Sequence, residues 1–327
     1  MRVHRKTVAA ISAGIVVAAL AVGLVVLMPG RGTRSRPAPA ASPKTLRSPF
    51  TGEPVASLGP VIAVKIDNIA QARPQTGLSA ADIVYVLPVE GGLSRFLAIF
   101  SSHFPPVIGP VRSAREDDLE LLRQFGRPAF AYSGAQPRLL PVVERARTVD
   151  LYSGRVRGYF RDHRRVAPYN LYARSGQLRA EARNASRAHG IGFRFGPAPA
   201  GGRPVASESV SYPAASFVFT WSAAKNRWLV RMDGSRALTT DDGQLSAATV
   251  VVQYTIVRKS RFIEWGALPP YAESTGSGRA LVLRNGRAYS AQWSRPSADG
   301  GTTFTTLSGE PMTFARGPVW VVLAAAH

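Results

Sequence analysis

The runs Val61-Ile62-Ala63-Val64-Lys65-Ile66-Asp67, Ile83-Val84-Tyr85-Val86-Leu87-Pro88-Val89 and Leu93-Ser94-Arg95-Phe96-Leu97-Ala98-Ile99-Phe100-Ser101 decide how this chain folds. The first alternates and is β-branched, and the other two are almost continuously apolar. Three strands are expected, two of them buried on both faces. Gly91-Gly92 separates the last two and predicts a tight hairpin. Polar strips punctuate these runs: Asp67-Asn68 leading to Ala72-Arg73-Pro74-Gln75, then Glu90 to Arg95, then Gly109 to Arg115. Charge and glycine gathered at strand ends mark where sites are usually built. The strips predict that something polar or anionic is held there, and they match no catalytic arrangement whose chemistry can be named.

Downstream, Ser113-Ala114-Arg115-Glu116 has the form of a capping box, and Leu119, Leu122 and Phe125 give the following helix an apolar face that Gly126 ends. Pro128 to Ser133 reads as a further buried strand, Pro137 to Ala146 as a short helix, and Ser175 to His189 as a polar, arginine-rich helix ending at Gly190. Helices interleaved with strands imply a mixed α/β layer. After the Gly/Pro-rich stretch 196–204 nearly everything alternates with period two. Phe217 to Trp221 and Arg227 to Arg231 predict one hairpin, and Leu281 to Leu283 and Tyr289 to Trp293 flank the turn Arg284-Asn285-Gly286-Arg287 of another. Thr249 to Val257 and Pro318 to Leu323 add strands. The expected fold class is α+β, with a mixed α/β domain over residues 48–195 and a β-rich domain over 205–327.

A chain of 327 residues with 45% apolar content can bury a substantial core. The absence of cysteine excludes disulfides, thiolate metal sites, a cysteine nucleophile and a lipid-modified N-terminal cysteine. Only five of the 41 basic residues are lysine, so the net charge of +21 carries an arginine bias that weakens inference from the pI. At the N-terminus, Arg2, Arg5 and Lys6 precede Thr7 to Met28, an uncharged run of 22 residues. As a helix it would reach about 33 Å, enough to cross a bilayer core, and it is longer than the ~7–15-residue apolar region of a removable signal. The expectation is an uncleaved transmembrane anchor over 7–28, a cytoplasmic tail over 1–6 and an extracytoplasmic folded part. Residues 29–47, rich in Pro, Ala, Arg and Ser, read as an extended linker. The first 49 residues hold eight basic side chains and no acid, leaving +13 for the rest. Such a tether is either drawn to anionic headgroups and wall polymers or simply a solubilising spacer.

The sharpest site hypothesis centres on Arg112, Ser113 and Arg115. If Ser113 caps the helix, outward amides flanked by two guanidinium groups suit a phosphate or carboxylate. Asp67, Glu90 and Asp162 would orient those arginines together with Arg95, while Asn68 and Asn170 would hydrogen-bond a polar ligand. The competing reading is structural: Arg73, Arg95, Arg112, Arg115 and Arg161 pair with Asp67, Asp82, Glu90 and Asp162 to lock loops together. Elsewhere the signals are weak. Ser222-Ala223-Ala224-Lys225 has Ser-x-x-Lys spacing but falls in a predicted hairpin turn, without companion motifs. The five histidines are too scattered for metal spacing, and strand tryptophans are more often core than sugar platforms. No catalytic residue can be named, and no cofactor or metal is expected.

Five blocks carry a family resemblance: Ala72 to Tyr85, Glu90 to Phe96, Ile108 to Arg115, Phe160-Arg161-Asp162 and Pro168 to Tyr172. In order and spacing they resemble the YerB-like family of bacterial envelope proteins. Val250 to Tyr254, the 284–287 turn leading to Trp293, and Gly317 to Trp320 resemble that family's C-terminal domain. The resemblance implies an extracytoplasmic two-domain protein, often a lipoprotein candidate, whose biochemical activity is unassigned. Three departures stand out. There is no cysteine to lipidate; Val86 stands where relatives usually place an acid; and Ile69 and Tyr169 stand where relatives often carry histidine. Two functions follow: binding of an anionic or glycan envelope ligand, or of an envelope protein, without catalysis; or hydrolysis or transfer on envelope polymers with Glu90 and Asp67 or Asp162 as acid–base carboxylates. Nucleic acid is the least expected partner, since no known module is present.

Overall fold

The three apolar runs form the centre of a sheet: β1 (Ile62–Asp67), β2 (Ile83–Pro88) and β3 (Ser94–Phe100). β3 lies between the other two and is antiparallel to both, with Asp67 and Leu87 facing Arg95 from either side. In the computed structural model, residues 45–263 and 266–326 are described. The expected tail (1–6), anchor (7–28) and all of the linker up to residue 44 therefore lie outside the described residues. Among the described residues no helix is long and apolar enough to cross a membrane.

All three strands are buried along their whole length, β1 included. The alternating reading of β1 missed this because Lys65 looks like a solvent-facing residue. It is instead fully buried, and its ammonium meets Asp118 at 2.6 Å. Burying a lone ammonium would be prohibitive, so Asp118 is what lets β1 sit inside.

The sheet has eleven strands. Its order is Thr303–Thr306, Arg287–Arg295, Gly276–Arg284, Thr249–Thr255, Val319–Ala325, β2, β3, β1, Ala129–Tyr132 and Val149–Tyr152, with Arg203–Pro204 pairing beside Arg287–Arg295. The C-terminal strand Val319–Ala325 runs parallel between Thr249–Thr255 and β2, placing Val84 opposite Trp320 and Val86 opposite Val322. Both halves of the sequence thus contribute to one continuous sheet. The fold is mostly β, with few helices. α1 (Glu116–Leu122), α2 (Leu140–Glu144) and α3 (Ser175–Glu181) are all short.

Alternation within each strand divides the core between two faces. On one, Val64, Ile66, Val86 and Phe96 pack with Phe217, Phe219, Trp228 and Trp320, beneath a smaller sheet built on Ser207–Tyr212, Ala215–Ser222 and Arg227–Met232. On the other, Ala63, Tyr85, Leu97 and Ile99 pack with Leu121, Leu122 and Phe125 and with Val251, Val282 and Trp293. Trp228, Trp293 and Trp320 are buried core residues, and Trp221 packs against Trp228 with the rings tilted at 54°. Ser222 to Lys225 form the turn of the hairpin, the Lys225 amide approaching the Ser222 hydroxyl.

Two helix boundaries differ from expectation. α1 begins after Arg115, and Asp118 accepts the Arg115 amide at 2.7 Å. Ser113 is therefore not the cap; the acid that closes the first turn is Asp118, three residues beyond Arg115. α3 ends at Glu181, well before His189. The residues beyond it are claimed by tertiary hydrogen bonds, since the Val61 amide donates to the Ser186 carbonyl and the Arg127 amide to the Ser186 hydroxyl. Those contacts tie the segment to the start of β1 and override its local helical pattern.

A guanidinium–carboxylate cluster at the strand ends

Because β1 and β3 are antiparallel neighbours and β2 turns into β3 through Glu90–Gly92, Asp67, Glu90 and Arg95 are brought to one end of the sheet. The hairpin needs glycine: Gly91 and Gly92 both have φ near +70°, and a Cβ on Gly92 would meet Pro213 at 2.7 Å. The 109–115 segment then runs alongside, its Arg112 amide donating to the Lys65 carbonyl at 2.9 Å. This places Arg112 and Arg115 over the same strand ends.

Glu90 is the hub. Arg115 grips it with two nitrogens, Nε at 2.9 Å and Nη2 closer still, and Arg95 Nη2 adds a third contact at 3.0 Å. Burial pushes the Glu90 carboxyl up, but the Arg115 hydrogen bond and the charges of Arg95 and Arg115 outweigh it and hold the carboxyl down at about 2. Such a group is ionised at neutral pH and cannot donate a proton as a general acid. Asp162, offered with Asp67 as an alternative acid–base partner of Glu90, does not join the cluster. It is half-buried in the 162–170 loop, and hydrogen bonds from the Arg164 side chain and amide lower it.

Asp67 and Arg112 form the open part. Arg112 Nε lies 2.8 Å from Asp67 Oδ2, yet its N–H is not aimed along a hydrogen bond, so both buried atoms are left without one. The Arg112 guanidinium lies over the Tyr169 ring at 5.6 Å. Among the described residues no hydrogen bond fixes its two terminal nitrogens. Asp67, Ile69, Glu90, Ser94, Arg95, Arg112 and Tyr169 line a pocket of about 180 Å³. Both positions where this chain departs from the histidines of its resemblance, Ile69 and Tyr169, are in that lining.

The remaining expected residues take other places. Asn68 is a structural bracket, donating to Ser94 at 2.9 Å and accepting from Arg73 and Gln75, each at 3.2 Å. Asn170 accepts from Arg161 at 2.6 Å and braces the 162–170 loop, in which the Asp162 amide donates to its carbonyl. Ser113 contributes its carbonyl to Arg95, while its residue lines a separate open pocket with Gln136, Arg138 and Arg261. The anion pocket expected around a Ser113 cap is not formed: the first turn of α1 carries Glu116, Asp117 and Asp118, which occupy its positive end. The structural reading of the arginines describes Arg95 and Arg115, which Glu90 holds, whereas Arg112 pairs with Asp67 without an aligned hydrogen bond. Arg73 instead pairs with Asp233 at 2.8 Å, and Asp82 accepts the Ser101 and Ser102 amides.

Sequence reasoning missed Tyr169, Lys65, Asp117 and Asp118. A lysine inside an apolar strand was the available signal for a buried acid, and Asp117-Asp118 was an acidic pair to which the sequence reading gave no role. Asp117 is buried with Oδ1 unpartnered and Oδ2 3.4 Å from the Ala272 amide. Burial and the Asp118 charge push it up to about 7.

Comparison with known proteins places this arrangement in a family. Residues 50–189 match the N-terminal domain, and residues 209–321 the C-terminal domain, of a protein family of unknown function, DUF3048. A sequence relative from Bacillus subtilis (strain 168), named "Putative lipoprotein YerB", is 46% identical over 98 residues, a match spanning 29% of this chain and 29% of the relative. The crystal structure of the YerB protein from Bacillus subtilis superposes with a TM-score of 0.73 at 21% identity, covering 86% of this chain and 97% of that one. At that identity the superposition shows a shared fold. With both domain matches falling in order across most of its length, the chain belongs to the YerB-like DUF3048 family, whose function is unassigned.

Proposed function

We propose that the chain is an extracytoplasmic envelope protein, held by a membrane helix over residues 7–28, that binds an acidic glycan through the Asp67–Arg112–Tyr169 pocket without catalysis. One observation carries the reading: Asp67 Oδ2 and Arg112 Nε are buried side by side without aligned hydrogen bonds, and among the described residues none accepts a hydrogen bond from the outer nitrogens of Arg112. Buried polar atoms are rarely left so. A sugar unit bearing a carboxylate and a hydroxyl supplies what is missing, its carboxylate to the Arg112 fork and its hydroxyl to Asp67. Glu90, Arg95 and Arg115 form the rigid wall behind, since their charges are already satisfied by one another. The pocket's size suits one sugar residue rather than a length of chain. A relative named as a lipoprotein supports the envelope setting. With no cysteine to lipidate, the apolar N-terminal run is the candidate anchor in this chain.

The test is a thermal-shift screen of the chain against cell-wall fragments, uronic acids and neutral sugars. Acidic sugars should raise the melting temperature and neutral ones should not, and Arg112→Ala should abolish the rise while leaving the unliganded melting temperature within about 2 °C. Stabilisation that survives in Arg112→Ala, or silence across all acidic glycans, would overturn the reading.

A further inference from the structure

A second feature lies at the opposite end of β1. The strand's six residues separate it from the Asp67 pocket by roughly 20 Å. Charge in this molecule is concentrated: residues 154–194 hold ten arginines against Asp162 and Glu181. Three of those arginines, Arg179, Arg183 and Arg187, line one cleft of about 420 Å³ with Pro60, Gly176 and Ala185, and no acid lines it. Glu181 is two residues from Arg179, a spacing at which helix side chains do not face each other.

The way these guanidinium groups are held matters. The Arg179 group lies over the Phe104 ring at 4.6 Å. Arg183 Nε donates to the Ala180 carbonyl, and Arg187 Nη1 to the Leu58 carbonyl, both at 2.9 Å. None of the three pairs with a carboxylate among the described residues. Rings and carbonyls orient an arginine without cancelling its charge. The result is a concave row of fixed, uncompensated cations with outward N–H groups left over. A structural role alone would be served by carboxylate partners, as Glu90 serves Arg95 and Arg115.

We propose that the Arg179–Arg183–Arg187 cleft is a second binding site, for a flexible polyanion bearing repeated phosphate groups. Phosphate matches the guanidinium fork. A concave row favours a threadlike polymer, because a flat bilayer surface meets only the rim of a cleft. The site is independent of the Arg112 pocket and stands whether or not that pocket binds sugar.

The experiment uses the full-length chain and fluorescently labelled inorganic polyphosphate, with anisotropy read between 50 and 200 mM salt. The triple variant Arg179→Gln/Arg183→Gln/Arg187→Gln should bind at least about tenfold more weakly, with a log–log salt slope shallower by about two, as expected for three lost phosphate contacts on a single chain. The charge-matched control Arg203→Gln/Arg231→Gln/Arg236→Gln and the variant Arg112→Gln should stay within about twofold of wild type. Equal weakening in triple and control would show a general charge effect and overturn the site. Wild-type affinity in the triple would overturn it too, and so would tight binding to anionic phospholipid vesicles that polyphosphate does not compete away. Should the triple melt early, Arg183→Gln alone, which removes a side chain bonded among the described residues only to the Ala180 carbonyl, should still weaken binding about threefold; no change there would also overturn the site.

Discussion

At the scale of single residues, the cluster is a row of charges whose partners were chosen by geometry. Replacing Arg115 with Met removes the two-pronged grip on Glu90 and leaves a largely buried carboxylate served by Arg95 alone; the cost should be about 2–3 kcal/mol in urea denaturation. The pH response of Glu90 has a definite sign. Its folded value lies below its ordinary one, so its contribution is full above about 4.5 and is lost as pH falls towards 2. Glu90→Gln should flatten that acid limb. Asp117 has the opposite sign. Its folded value is raised from 3.8 to about 7, so the stability tied to its proton is full below about 4 and is lost as pH rises to 7. Asp117→Asn should remove that decline and raise stability at pH 7.5 on the order of 2 kcal/mol. Denaturation midpoints from pH 4 to 8 check both. The pairing of Glu90 with arginines was among the readings the sequence offered, but the buried acids of α1 were not legible, because Lys65 and Asp118 are 53 residues apart and only the fold brings them together.

At the scale of elements, periodicity served well where a segment's own pattern decides its structure. β2, β3 and the two-residue turn at Asn285-Gly286, both with φ near +50° to +70°, follow from local sequence. The helix ends did not, because Asp118 and Ser186 take part in contacts that no local rule contains. α1 shows the pattern in full. Its apolar residues Leu121 and Leu122 face the sheet, while Glu116 takes the Ser260 hydroxyl at 2.7 Å and Glu120 the Ser274 amide at 2.8 Å. The acidic side of this helix is thus bolted to Ser260 and Ser274. Gly92 is the corresponding pivot of the β2–β3 turn. Gly92→Val combines a left-handed backbone with a clash against Pro213, and should destabilise by about 2–3 kcal/mol, measured by thermal melting.

At the scale of the whole molecule, one sheet carries strands from both ends of the sequence, since β2 is hydrogen-bonded to Val319–Ala325. The β-rich second half and the mixed first half were each readable from composition and alternation. Their junction was not, because parallel pairing across more than 230 residues leaves no local trace. Unfolding should accordingly be a single cooperative transition by circular dichroism and tryptophan fluorescence together, and deleting residues 319–325 should abolish it rather than remove one of two steps. The candidate site was legible in its residue list and not in its geometry. Asp67, Glu90, Arg95, Arg112 and Arg115 do converge, whereas Ser113, Asp162 and Asn170 are drawn elsewhere and Tyr169 replaces them. The claim that Arg112 is the open guanidinium, with Arg95 and Arg115 satisfied by Glu90, is tested most directly by NMR of arginine Nε–Hε resonances during titration with glucuronate. The resonance of Arg112 should shift saturably while those of Arg95 and Arg115 stay fixed; shifts spread equally over all three, or none at Arg112, would contradict the account.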